Sequence, residues 1–233
     1  MKAVIFDFDG TLTSEGQNIW KLLWEKCGDG KGEASLRKKL YKLHRIERKI
    51  SRAEWFNRTA DVFKGKQLTK YDIYLINSKI KLMNGAKEVI EQLHREGYNL
   101  YIVSGGLKET ILTVLGPLAK YFADIQANVC SFDANGVIKG FYPTKYDFEG
   151  KADYIELLKK HCYKEEDIVY IGNSGNDEWV HATGCKTICI NPANTNFKNG
   201  NLWDRVFINV TDLRQIFIKI DYTPKKQNEE YTK

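Results

Sequence analysis

The strongest constraint on this chain is an interruption. A four-residue apolar run, Ala3-Val4-Ile5-Phe6, leads into the polar turn Asp7–Thr13, and no strand pattern recurs until after Met83. An apolar run that short, rich in β-branched residues, suits a parallel strand covered on both faces. The intervening period is helical. Ile19, Leu22, Leu23 and Cys27 step by three and four, as do Leu36, Leu40, Leu43 and Ile50 with one missed turn. Further helical patterns cover Ser51–Val62 and Thr69–Leu82, with glycines at Gly28–Gly32 and Gly65 between them.

After Asn84-Gly85 the strand–helix alternation of an α/β fold begins. Helix Ala86–Arg95 stops at Gly97, strand Leu100–Val103 follows, then Ser104-Gly105-Gly106 as a loop and a helix to Gly116-Pro117. Strands Ile125–Val129 and Val137–Phe141 flank the hairpin turn Asp133-Ala134-Asn135-Gly136. A helix from Lys151 to His161, strand Ile168–Ile171, a Gly/Asn loop and a helix near Glu178–Thr183 come next. Short strands Thr187–Ile190 and Val206–Asn209 and a helix from Asp212 close the pattern. The expected organisation is an α/β core (1–13 and 84–220), an inserted helical domain (14–83) and a polar tail (221–233).

Composition narrows the class. Of 233 residues, 42% are hydrophobic and 28% charged, which excludes a disordered or low-complexity chain. No apolar run approaches the ~20 residues of a membrane span. The first one meets Asp7 after four residues, so neither a membrane protein nor a secretory signal is expected. Cys27, Cys130, Cys162, Cys185 and Cys189 are odd in number and hold no CxxC pair, which argues against a disulfide framework and suits the cytoplasm. The net charge of +6 is local: Lys31–Arg52 carries nine Lys/Arg against two Glu, so the remainder is close to neutral. A nucleic-acid partner is not expected from such a distribution. The bland reading of the basic stretch is the solvated face of an amphipathic helix; the alternative is steering of an anionic substrate.

Four polar segments carry chemistry, each at a strand exit or a helix start, where open parallel sheets bind ligands. Asp7-Phe8-Asp9-Gly10-Thr11 sets two carboxylates one residue apart; one can attack phosphorus and the other can move protons. Ser104-Gly105-Gly106 offers a hydroxyl and backbone N–H groups to an anion. Lys151 opens a helix against the macrodipole, a misfit that favours a role in holding an anion. Gly172-Asn173-Ser174-Gly175-Asn176-Asp177 places oxygen-bearing side chains in a tight loop, which suits a hard cation such as Mg²⁺.

In this order DFDGT, SGG, the Lys before ADYIELL, and GNSGND resemble the four signature motifs of the haloacid dehalogenase superfamily. The helical insert and GAKEVIEQLHREGYNLYIVSGG resemble its phosphoserine phosphatase-like branch. The resemblance implies a Rossmann-like parallel-sheet core with a helical cap inserted after the first strand. It implies a Mg²⁺-dependent phosphatase of small phosphorylated metabolites that works through an aspartyl-phosphate. Asp7 would be the nucleophile and Asp9 the general acid/base. Ser104, Gly105, Lys151 and Asn176 would bind the phosphoryl oxygens; Asp7, Asp9, Asn173 and Asp177 would serve the metal.

Two departures stand out. Asn173 occupies a position where the branch usually has Asp, which removes one negative charge. Gly16 stands at the spacing of a Glu that reads the substrate amine in phosphoserine phosphatases, with Glu15 one residue early. The alternatives are a phosphotransferase or phosphomutase sharing the first motif, a weakened phosphate-binding module, and a nucleic-acid 3′-phosphatase.

Overall fold

Ala3–Phe6 form β1, and every residue of it is buried. Val4 and Phe6 enter one apolar layer while Ala3 and Ile5 enter another, as period-two alternation in a doubly covered strand requires. The computed structural model describes residues 2–29, 34–193, 202–217 and 220. The other strands are β2 (Asn99–Leu107), β3 (Phe122–Phe132), β4 (Ile138–Tyr142), β5 (Ile168–Gly172), β6 (Lys186–Ile190) and β7 (Arg205–Phe207). They form one seven-stranded sheet in the order β4-β3-β2-β1-β5-β6-β7. All neighbours are parallel except β3 and β4, joined by the expected hairpin at Asp133–Gly136. The α/β class holds, with β1 at the centre, where chain order reverses between β2 and β5.

Eight α-helices accompany the sheet among the described residues: α1 (Ile19–Lys26), α2 (Leu36–Tyr41), α3 (Arg52–Gly65), α4 (Lys70–Asn77), α5 (Ala86–Arg95), α6 (Lys108–Leu115), α7 (Glu149–His161) and α8 (Arg214–Phe217). Helices α1 to α4 gather their own apolar cluster, with Ile19, Leu23, Trp24, Phe56 and Phe63 at its centre. It reaches the sheet through Leu107, Cys130 and Ile138. The two chain crossings between helical segment and sheet run side by side: Thr13 bridges Leu82, and Met83 N donates to Leu12 O at 2.8 Å.

Several boundaries differ from the sequence expectation for physical reasons. The missed turn between Leu43 and Ile50 is a real break: α2 gives way to a π-helical turn, Lys42–Ile46, and Arg48 takes a positive φ of 51°. Helix α4 stops at Asn77, because Lys81 and Met83 bond to the Leu12–Ser14 strand segment instead. Ser104-Gly105-Gly106 is not a loop. Strand β2 continues through it with a register shift, its carbonyls at Gly105 and Gly106 held by Asn128 Nδ2 at 2.7 and 3.2 Å. Glu178–Thr183 is a 3-10 helix, and β7 ends at Phe207 rather than at Asn209. The tail from 221 lies outside the described residues, as does Lys31 of the basic stretch. No helix among the described residues is long and apolar enough to cross a membrane.

Candidate active site

Parallel pairing of β1 with β2 and β5 brings three of the polar segments to one edge of the sheet. Phe6 lies in register with Ile102 and Ile171, so Asp7, the Ser104 stretch of β2 and the Gly172–Asp177 loop lie at the same end of the sheet. The fourth group arrives on a helix. Lys151 sits in the first turn of α7 with its side chain 1% exposed, and its Nζ lies 3.0 Å from Asp7 Oδ1 and 2.5 Å from Asp177 Oδ1. The misfit of a lysine at a helix N-terminus is thereby resolved: two buried carboxylates outweigh the helix dipole. Burial works against the Lys151 charge, but Asp177, Asp7 and Asp147 hold its pKa above the ordinary lysine value.

Asp177 is wholly buried and accepts five hydrogen bonds. Oδ1 takes Lys151 Nζ and Tyr170 Oη; Oδ2 takes the N–H groups of Asn173 and Ser174 and the Ser174 hydroxyl. Burial alone would raise its pKa, yet Lys151 and these donors hold it below the usual carboxylate range. Asp7 and Asp9 behave in the opposite way. Burial pushes Asp7 up to about 6 although Lys151 pulls against it; burial, then the Asp7 charge, push Asp9 up to about 8. One lysine serves three carboxylates, so the site is short of positive charge.

Ser104 is 1% exposed and its Oγ accepts Gly106 N at 3.1 Å. A side chain at Gly106 would come within 3.1 Å of Asp9 Oδ2, so the serine segment and the second aspartate face each other. Asn173 is buried against Gly10, whose φ of +77° and lack of a Cβ let the amide lie across the DFDGT turn. Asn176 is half-buried on the same loop, with its N–H 3.4 Å from Ser174 Oγ.

Other residues join these, in contacts that the sequence did not predict. Asn18 caps α1 through Oδ1 and donates Nδ2 to Asp9 Oδ2 at 3.2 Å. Its position just before Ile19 marks a helix start, but nothing local points to Asp9. Trp20 and Asn128 both donate to Gly105 O, at 2.8 and 2.7 Å. Tyr170 reads as an ordinary core residue of β5, and only its hydroxyl contact to Asp177 sets it apart.

The amino-terminal 179 residues match the family model for haloacid dehalogenase-like hydrolases. The chain belongs to that family. Among curated relatives, the chloroplastic phosphoserine phosphatase of Arabidopsis thaliana is 28% identical over 181 residues, 76% of this chain and 58% of the relative. The phosphoserine phosphatase of Wolinella succinogenes is 32% identical over 108 residues, 46% of this chain and 48% of the relative. A 7-methylguanosine phosphate-specific 5′-nucleotidase of Gallus gallus is 26% identical over 99 residues, 41% of this chain and 34% of the relative. The chain thus spans less than two thirds of each relative's length. Among solved structures, a substrate-bound phosphoserine phosphatase complex superposes with a TM-score of 0.73 at 21% identity, covering 94% of this chain and 98% of that one. At that identity the likeness is one of fold.

The residues of this hydrolase site fit a hard divalent cation. Asp9 Oδ1 is buried without a hydrogen-bond partner, the aspartates exceed the lysine in charge, and the Asn173 side chain packs on Gly10, next to Asp9 in the chain. Among the described residues no three His, Cys, Asp or Glu side chains are gathered to hold a metal.

Proposed function

We propose that this hydrolase is a Mg²⁺-dependent phosphatase of small phosphomonoesters, working through an aspartyl-phosphate on Asp7. The observation that carries the reading is the Lys151 bridge, with Nζ 3.0 Å from Asp7 Oδ1 and 2.5 Å from Asp177 Oδ1, at the exit of the central strand. An Asp7 oxygen attacks phosphorus, and the bond to the leaving oxygen breaks. Asp9, raised to about 8 by burial and by Asp7, carries a proton at neutral pH and gives it to that oxygen. In the second half Asp9 takes a proton from the water that attacks the aspartyl-phosphate, releasing phosphate and restoring both aspartates.

The Ser104 hydroxyl, the Gly105 N–H and the Lys151 ammonium hold the phosphoryl oxygens, with Asn176 beside them. Asp177 spends both oxygens on Lys151, Tyr170 and its own loop, so its part toward the metal is indirect. The Asp7 carboxylate, the Asp9 carbonyl and Asn173 would hold Mg²⁺, whose contribution is to neutralise charge on the phosphate. Residues 14–83 would act as a cap that excludes water from the strand ends, over a core of 1–13 and 84–220. Free cysteines, four of them buried, suit a cytoplasmic setting.

The test is phosphate release from a panel of phosphoserine, phosphocholine, sugar phosphates and nucleotides, with and without Mg²⁺. Wild type should release phosphate from one or two of them only with metal, and Asp7→Asn should retain essentially none. More than a few per cent residual turnover in Asp7→Asn would remove Asp7 from the nucleophile role. No release from any compound would favour the phosphate-binding module suggested by Asn173.

A further inference from the structure

The helical segment grips the turn that delivers Lys151. That turn runs Asp147-Phe148-Glu149-Gly150, and Phe148 holds a φ of 52°, a region that bulky residues avoid. Two cations from the helical segment meet three consecutive residues of the turn. Arg52, at the start of α3, places Nη2 3.1 Å from Asp147 Oδ2. The Arg45 guanidinium lies 3.6 Å from the centre of the Phe148 ring, and its Nη1 is 3.5 Å from Glu149 Oε2. The Asp147 carboxylate is bonded on both sides, since Oδ1 accepts the Phe148 N–H at 2.9 Å.

The same arginine reaches the other half of the phosphate cradle. Arg52 Nη2 is 3.4 Å from Asn128 Oδ1, and Asn128 Nδ2 donates to the carbonyls of Gly105 and Gly106. Asp147 itself lies against Gly105, where a Cβ would stand 2.7 Å from Oδ1. One guanidinium therefore touches the supports of both the Ser104–Gly106 strand end and the Lys151 turn, which are remote in sequence.

We propose that Arg52 is a positioning residue: through Asp147 and Asn128 it makes the geometry of the phosphate cradle depend on the helical segment being seated. The proposal rests on the phosphatase reading of the site. Lys151 and Ser104 are held by backbone that the sheet alone leaves under-determined, at a strained φ on one side and a register shift on the other. Arg52 supplies the missing constraint, with one guanidinium nitrogen, Nη2, facing both oxygen acceptors. Both halves of the cradle thus share one support on the helical segment, and loss of the Arg52 contacts would loosen them together.

The experiment compares wild type, Arg52→Met, Arg52→Lys and Asp147→Asn by two readouts. One is kcat and KM for p-nitrophenyl phosphate with Mg²⁺; the other is amide hydrogen exchange without substrate. Misplacement of catalytic groups by about 1 Å costs up to about 100-fold in rate. Arg52→Met should lower kcat at least fivefold with a smaller change in KM, and Arg52→Lys should recover part of the loss. The Gly150 and Lys151 amides, which donate to Asp147 O and Phe148 O, should exchange at least fivefold faster in Arg52→Met and Asp147→Asn, with the α5 amides unchanged. Smaller changes in both readouts, or faster exchange in α5 to the same degree, would overturn the proposal. If wild type releases no more product than Asp7→Asn from p-nitrophenyl phosphate and from every compound of the phosphomonoester panel, the phosphatase reading fails on its own, and hydrogen exchange still decides whether Arg52 holds the turn.

Discussion

The two halves of this molecule use charge in opposite ways. At the strand ends charges are few and buried, and each is committed to partners: Lys151 is 1% exposed, Asp177 is fully enclosed, and the two are 2.5 Å apart. On the helical segment charges are many, and several pairs stand in solvent, such as Arg58 and Glu54, one turn apart on α3 with about half of each side chain exposed. A buried charge is tolerated only where its partners are fixed, so it reports a geometry that the fold maintains. An exposed pair exchanges one set of water contacts for another and reports little. Arg52 belongs to the second population by sequence, but its partner Asp147 is buried like the first.

The largest effect should come from breaking the buried half. Lys151→Met leaves Asp7 and Asp177 without their shared cation, a change that typically costs about 3–5 kcal/mol of stability. On the proposed reading it also removes a phosphate ligand, worth about 10²–10³ in kcat. Urea unfolding together with turnover of the variant tests both; a stable, active Lys151→Met would refute the central ion triad. Next, Phe63→Ala in the core of the helical segment should cost about 3–5 kcal/mol through lost burial and a cavity. The folded fraction should keep kcat within about threefold, because Phe63 touches the apolar cluster rather than the site.

Smaller and sharper is Asn173→Asp. It adds one carboxylate where the site already lacks cations, so the Mg²⁺ concentration for half-maximal turnover should fall, by about tenfold. An unchanged or raised requirement would separate residue 173 from the metal. The smallest effect should be Arg58→Gln, which removes an exposed i,i+4 pair and should shift stability by no more than about 0.5 kcal/mol with kcat intact. A larger loss would dissolve the contrast between the two halves.

Much of this was legible in order and period. The short apolar strand, the helical stretch after it and the strand–helix alternation from Asn84 onward carry the α/β class, because burial on one or two faces imposes its own repeat. The motifs stood out in the sequence too, and the structure brings Asp7, Lys151 and Asp177 together. Boundaries were less so. Whether Ser104–Gly106 continues β2 depended on Asn128, and where α4 ends depended on pairing with the Leu12–Ser14 segment; both partners lie far away in the chain.

The sequence by itself determined which chemistry was available: two aspartates one residue apart, a lysine set against a helix dipole, and a loop of amide and carboxylate oxygens. Only the tertiary structure decided how that chemistry is held. Asn18 on Asp9, Tyr170 on Asp177, Trp20 and Asn128 on Gly105, and Arg52 on Asp147 are contacts between distant segments. The physical reason is that a local pattern records which face of an element is buried. The partner that a buried polar atom finds there is set by how separate elements pack, and no period in the sequence carries it.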